Sequence, residues 1–171
     1  MLSAAQQRPP AVAFIPAFGP ELDVVIEVPR GSFVKRGSGG SIDFISPLPC
    51  PFNYGAVPTL LGFEGDLLDA VVLGKRLAYG TRIRVRAWGA ITLTDRGMAD
   101  DKLICSHAEP TDAECRQVLR FFHFYAKCKG LLNFCRRRPG RNGCDGWCDA
   151  REALGRARPV DAAWSGPPVS F

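Results

Sequence analysis

No apolar run in this chain approaches the ~20 residues that a helix needs to cross a bilayer, so nothing in it suggests a membrane-spanning helix. Near the start, the apolar residues 11–15 are bracketed by Pro9, Pro10 and Pro16 and preceded by a single Arg, Arg8. That is too little for the core of a signal peptide, so the chain reads as cytoplasmic. Paired C-x₂-C knuckles are missing as well, and seven cysteines are an odd number that cannot pair completely within one chain. Both features weigh against a disulfide framework.

What is present is enough apolar material for one sizeable core: 46% of 171 residues are hydrophobic, which fits a single domain without internal repeats. The net charge of +5 is unevenly placed. Residues 1–125 carry 13 Lys/Arg and 13 Asp/Glu, whereas residues 126–158 carry nine and three. An acidic cluster within the first section is therefore a local feature of a neutral background.

Residues 1–20, rich in Ala, Gln and Pro, read as an N-terminal arm, residues 21–158 as one domain, and residues 159–171 as a C-terminal tail. Within the domain, Asp23-Val-Val-Ile-Glu-Val28 is a β-type run ended by Pro29. Gly37-Ser-Gly-Gly-Ser41 is a flexible turn before a short strand at 42–45, and Pro47, Pro49 and Pro51 hold the next stretch extended. A buried strand follows at 70–73. In residues 82–88, Arg82, Arg84 and Arg86 alternate with Ile83, Val85 and Ala87, giving one wet and one dry face. Residues 90–93 and 102–106 continue the β section. Pro110 then opens a helix, with Thr111 as N-cap and Glu114 completing a capping box. Cys115, Val118, Leu119, Phe122 and Tyr125 recur along it at helical spacing, and a shorter helix starts near Asp149. This order predicts a mainly β fold with flanking α: a small barrel with two helices outside it.

The acids concentrate in two places. Glu64-Gly-Asp-Leu-Leu-Asp69 has three acids and no base within six residues, and Glu64 and Asp66 share a face on an extended backbone. Asp95-Arg-Gly-Met-Ala-Asp-Asp-Lys102 brings further acids and one Lys from a turn flanked by strands. Converging carboxylates raise each other's pKa unless cations sit among them. All-oxygen donors suit hard cations such as Mg²⁺. Several such ions can clamp an in-line phosphoryl displacement, a reaction in which positioning and charge neutralisation supply most of the catalysis. The expected meeting point of the two acidic segments is the mouth of the barrel.

Val25-Ile-Glu-Val-Pro, Pro51-Phe-Asn-Tyr-Gly55, Gly65-Asp-Leu-Leu-Asp69 and Thr94-Asp95…Asp100-Asp-Lys102 occur in the order seen in the soluble (family I) inorganic pyrophosphatases. The central block resembles that family's D-G-D-x-x-D signature, with Glu64 in the first acidic position. Phe121-Phe-His-Phe-Tyr125 is similar to its aromatic helix ending in a substrate-binding Tyr, and Gly146-Trp147 to its C-terminal segment. The resemblance covers about residues 23–155. It implies a five-stranded OB-like barrel with flanking helices that hydrolyses inorganic diphosphate to two phosphates, using several Mg²⁺ ions per site, in a homo-oligomer.

By position, the resemblance implies Asp66 as general base toward a metal-bridging water, with Tyr54 beside the nucleophile. Glu64, Asp69 and Asp100 would hold the tighter metal, and Asp95 with Asp100 the metals arriving with diphosphate. Lys35, Lys102 and Tyr125 would contact phosphate oxygens, and Glu27 would support the site. The match departs in places. Arg36 and Gly37 stand where the family has an aromatic residue and a metal-linked Glu, residues 42–45 lack the family's phosphate-binding Arg, and Cys50 replaces a Tyr. The Lys that should follow the helix Tyr is Ala126, with Lys127 one place late. Lys127 and Arg36 are the candidates to supply the missing cations. A pyrophosphatase-like protein that is weakly active or non-catalytic is one alternative.

Two rival readings belong to other classes. The basic run Cys135-Arg-Arg-Arg-Pro-Gly-Arg141, near Phe134 and Trp147, suits an OB-type module binding single-stranded nucleic acid, although short basic loops are usually solvated surface. Cys128, Cys135, Cys144 and Cys148, with His123, make a weak zinc pattern without paired knuckles.

Overall fold

Arg82–Asp95 is one continuous strand, where the sequence reads as two, because a bulge rather than a break separates its halves. The bulge lies between Ala87 and Gly89 and inverts the alternation of side chains. Val85 and Ala87 face one apolar cluster before it and Ala90 faces the same cluster after it, whereas Ile91 and Leu93 face another. This inversion decides which residues of the strand reach the acidic site.

A computed structural model describes residues 19–36, 41–46, 48–135, 137 and 140–161, without the side chains of residues 43, 44 and 132. In chain order its elements are β1 (Glu21–Val28), β2 (Val34–Arg36), β3 (Ile42–Ile45), β4 (Asn53–Leu61), β5 (Leu67–Val72), β6 (Arg82–Asp95) and β7 (Met98–Ser106). There follow α1 (Asp112–Cys135), β8 (Gly143–Cys148), α2 (Ala150–Arg156) and β9 (Arg158–Pro159). β1 pairs antiparallel with both β4 and β6. β4 pairs with β5, β5 runs parallel to β7, and β7 returns to β6. The ring β1-β4-β5-β7-β6 is therefore closed, the five-stranded barrel that was expected. β8 takes over the edge of β6 at Ala90–Thr94, beyond the end of β1, and β9 pairs with β4.

All five strands contribute to one core cluster, including Val24, Ile26, Val57, Leu68, Ala70, Val85, Leu103 and Cys105, which makes it the barrel interior. Ala150 and Ala153 of α2 pack against it. A second cluster joins Val71, Ile91, Leu93 and Ile104 on the outer wall to Val118 and Phe122 of α1. Burying these side chains stabilises the fold by roughly 1.5–3 kcal/mol for each large aliphatic or aromatic residue. The capping box is formed as expected: Glu114 N–H donates to Thr111 Oγ1 (3.3 Å) and Thr111 N–H to Glu114 Oε2 (2.9 Å). Asp149 caps α2 by accepting from Arg151 N–H at 2.7 Å.

Some expectations are adjusted. α1 does not stop at Tyr125 but continues through Cys135. The strand at 42–45 forms, but as a hairpin with β2 outside the barrel sheet. The last two arm residues belong to the barrel, since Gly19 N–H donates to the Ala87 carbonyl and Ala87 N–H to the Pro20 carbonyl, both at 3.1 Å. Likewise Pro159 pairs with Leu60 and Val160 N–H donates to the Thr59 carbonyl at 3.0 Å, so the tail begins inside the sheet. The rest of the arm, residues 162–171 of the tail and residues 136, 138 and 139 of the basic run lie outside the described residues. Among the described residues, no helix is long and apolar enough to cross a membrane.

Candidate active site

β5 and β7 lie parallel with Asp69 opposite Lys102, and alternation along both strands sorts their side chains. Leu68 and Ala70 point into the barrel, as do Leu103 and Cys105. Val71 and Ile104 point out toward α1. Asp69, Asp100 and Lys102 share the parity of Val71 and Ile104, so they emerge on the outer wall beneath α1. The acids converge there rather than in the mouth of the barrel. Asp101 has the opposite parity and leaves the group: it is buried, accepting from Arg156 Nε at 2.7 Å and from Thr92 Oγ1 at 2.8 Å.

Glu64 and Asp66 reach the same wall through the turn between β4 and β5. Gly62 N–H donates to the Asp66 carbonyl (2.7 Å) and Gly65 N–H to the Gly62 carbonyl (3.1 Å), which closes the turn. Glu64, Asp69 and Asp100 then offer carboxylate oxygens that all lie within 4.8 Å of one another. Oε2 of Glu64 is buried without a hydrogen-bond partner among the described residues. Asp95 ends β6 just before a two-residue turn, Arg96-Gly97, in which both residues have positive φ (49° and 89°). Such a turn matches strand twist and is eased by glycine. After the bulge in β6, Asp95 has the parity of Ile91 and Leu93 and also faces α1.

α1 closes the site from above. Tyr125 packs against the outer cluster. One turn on, Lys129 Nζ lies 2.9 Å from Asp95 Oδ2 and 3.8 Å from Asp100 Oδ2. A further turn on, Asn133 Nδ2 donates to Asp95 Oδ1 at 3.3 Å. Residues four apart share a helix face, so the three side chains form a row over the carboxylates.

The charges are tightly coupled. Lys102, with a side chain only 4% exposed, ion-pairs with both Asp69 and Asp100. Burial alone would lower its pKa, but the two carboxylates outweigh that and hold the ammonium well above its usual range. Burial would likewise raise Asp100, yet Lys102 and Lys129 pull it below the usual carboxylate range. At Glu64 the pull of Lys102 is outweighed. Burial first, then the neighbouring Asp100 carboxylate, push it up to about 8. At neutral pH without a cation, Glu64 is the protonated partner in its hydrogen bond with Asp100. Burial and Asp69 raise Asp66, against the opposing pull of Lys35. Tyr54 is pushed far up by burial and by Asp69, and Tyr125 is raised by burial. Both hydroxyls stay protonated as donors. Lys35 Nζ sits 5.3 Å from the centre of the Tyr54 ring.

Residues 24–153 match the family model described as inorganic pyrophosphatase. The chain belongs to the inorganic pyrophosphatase family. It is 33% identical over 152 residues to the inorganic pyrophosphatase of Streptomyces coelicolor, covering 78% of this chain and 89% of that one. It is 37% identical over 100 residues to that of Saccharolobus solfataricus, an alignment covering 54% of this chain and 58% of the relative's length. The crystal structure of an inorganic pyrophosphatase from Neisseria gonorrhoeae superimposes with a TM-score of 0.63 at 27% identity, covering 80% and 87% of the two chains.

Against this pyrophosphatase frame, the expected site residues fall into two groups. Glu64, Asp66, Asp69, Asp100, Lys102, Tyr54 and Tyr125 gather in one electrostatically coupled group, with Lys35 beside Tyr54 and Asp95 at its edge. Arg36 instead lies over the ring of Tyr79, 5.9 Å from its centre. Tyr79 lines a cavity of about 280 Å³ with the buried Glu27 and Leu67. Lys127 does not take the place of the lysine that pyrophosphatases carry after the helix tyrosine. It is exposed and lines a separate cavity with His123, Asn142 and Cys144. Lys129 reaches the acids in its stead. Sequence reasoning missed Lys129 and Asn133 because it traced the helical repeat only as far as Tyr125 and looked to Lys127 for the missing cation, although spacings of four and eight from Tyr125 would have found them. The three carboxylates are the one group among the described residues that could hold a metal, so the zinc pattern in the cysteines is not assembled.

Proposed function

We propose that this pyrophosphatase-family chain hydrolyses inorganic diphosphate to two phosphates with Mg²⁺ bound at Glu64, Asp69 and Asp100. The observation that carries the reading is the convergence of those three carboxylates within 4.8 Å on the outer wall, at positions matching the acidic signature. The donor set fits the ion: it is all oxygen, as hard cations require. Oε2 of Glu64 is buried with no hydrogen-bond partner among the described residues, an acceptor that a cation would satisfy. When bound, the ions neutralise the carboxylates and the diphosphate and make water a better acid.

The chain's own residues do the rest. Asp66 accepts the proton of the attacking water, and its raised pKa brings it nearer the range in which a carboxylate is an effective base. The protonated Tyr54 and Tyr125 hydroxyls donate to oxygens of the substrate. Lys35 and Lys102 bring positive charge against the phosphoryl groups, stabilising charge that grows in the transition state. The walls formed by Phe52, Phe121 and Phe122 exclude water behind the tyrosines.

Phosphate release from magnesium diphosphate tests this. Asp66→Asn, which keeps the shape but cannot take the proton, is expected to lower kcat about 10²–10⁴-fold with the fold intact by circular dichroism. A wild-type chain that releases no phosphate above background, while folded and supplied with Mg²⁺, would refute the proposal.

A further inference from the structure

Asp100 is shared between two cations of the chain itself. Its Oδ1 meets Lys102, and its Oδ2 faces Lys129 across 3.8 Å. Lys129 Nζ is closer still to Asp95 Oδ2, at 2.9 Å. An ammonium therefore lies where two carboxylates from adjoining strands converge, next to the three-carboxylate group. It is not a wandering surface charge: its side chain is only 19% exposed and lies beside the Tyr125 ring, 6.0 Å from the centre. Asp95 is engaged on its other oxygen too, by Asn133 at 3.3 Å and by Arg96 at 3.9 Å. Asn133 is itself fixed by a 3.0 Å hydrogen bond to Asn142 Oδ1.

Both oxygens of Asp95 are thus engaged, whereas the three-carboxylate group keeps the unpartnered Glu64 Oε2, so a divalent ion approaching Asp95 would meet an occupied carboxylate and a fixed positive charge within a few ångströms. We infer that Lys129 stands in for a divalent cation at the Asp95–Asp100 position, so that this chain loads one metal ion fewer per site than its carboxylates would otherwise hold. The inference rests on the proposed metal site at Glu64, Asp69 and Asp100.

Mn²⁺ titration followed by electron paramagnetic resonance, with methylenediphosphonate as an unreactive diphosphate analogue, counts the ions directly. Lys129→Gln is expected to bind one more Mn²⁺ per chain than wild type, and Lys129→Arg the same number as wild type. Lys129→Met, which keeps the packing beside Tyr125, is expected to show the same gain as the Gln variant and guards against a local effect of the amide. Equal stoichiometry in wild type, Gln and Met variants, each retaining a tightly bound ion, would overturn the inference and leave the metal site standing. Absence of any bound Mn²⁺ in wild type would overturn both.

Discussion

Glu64 is the residue whose chemistry is most exposed to its surroundings. Its carboxyl folds back to within 3.2 Å of where a side chain on Gly62 would begin, and it is half-buried beside Asp100, where burial and that carboxylate outweigh the pull of Lys102. Its pKa is raised from 4.5 to about 8. The folded, metal-free chain thus binds a proton that the unfolded chain releases between those values. The resulting stabilisation is complete below about pH 4.5 and lost as pH rises through about 8. Metal-free wild type should therefore lose melting temperature between pH 5 and 8.5 more steeply than Glu64→Gln, which mimics the protonated form at every pH. Thermal melts in chelator across that range check it, and parallel curves for the two proteins would contradict the assignment. Occupancy by a cation reverses the sign, because the ion needs the ionised carboxylate. Much at this scale was legible beforehand: Asp66, Asp69, Asp100, Lys102 and both tyrosines were named from residue type and motif order. Lys129 and Asn133 were not, since only the unbroken helix brings them over the acids.

Elements decide which of the clustered acids face the chemistry. Counting along Asp100-Asp-Lys102 cannot separate neighbours, but a strand does: Asp100 and Lys102 take the outer wall while Asp101 turns to α2. There the Arg156 guanidinium meets Asp101 at 2.7 and 3.0 Å and Glu152 at 2.7 Å, tying the short helix to β7. Asp101 is 6% exposed, so removing its partner leaves a buried charge with Thr92 as its remaining donor. Arg156→Ala is expected to cost about 3–5 kcal/mol of stability, read as a lower urea midpoint at unchanged slope. A change below about 1 kcal/mol would show that the pair is screened in solution. The same scale explains which strands could be read. β1, β6 and β7 carry alternating or β-branched runs. β4 contains Gly55 and Pro58, which argue against a strand locally. Gly55 is there because β1 approaches so closely that an added Cβ would lie 1.9 Å from the Val25 carbonyl oxygen. That is a tertiary requirement, visible only once β1 and β4 are paired. β8, Gly-Cys-Asp-Gly-Trp-Cys, has too little β propensity to be called from sequence and is recruited by the free edge of β6.

For the whole molecule, the closed ring leaves one side of the barrel to α1 and brings β4, β5, β6 and β7 to a common acidic wall. Folding must place Glu64, Asp66, Asp69, Asp95 and Asp100 together. Without bound metal, the burden falls on Lys35, Lys102 and Lys129, the cations that those carboxylates face. A divalent ion that binds only the folded state adds stability by mass action, about 2.7 kcal/mol at a hundred times its Kd. For a chain of this size that corresponds to a rise in Tm of roughly 5–10 °C. The rise should grow with the logarithm of Mg²⁺ concentration and shrink as pH falls below about 8, where Glu64 regains its proton. Asp69→Asn removes one of the three converging oxygens and is expected to abolish most of the shift while the barrel still melts cooperatively. Equal Mg²⁺-induced shifts in wild type and Asp69→Asn, measured by calorimetry in the same buffer, would place the stabilising ion elsewhere on the molecule and detach metal binding from the acidic wall.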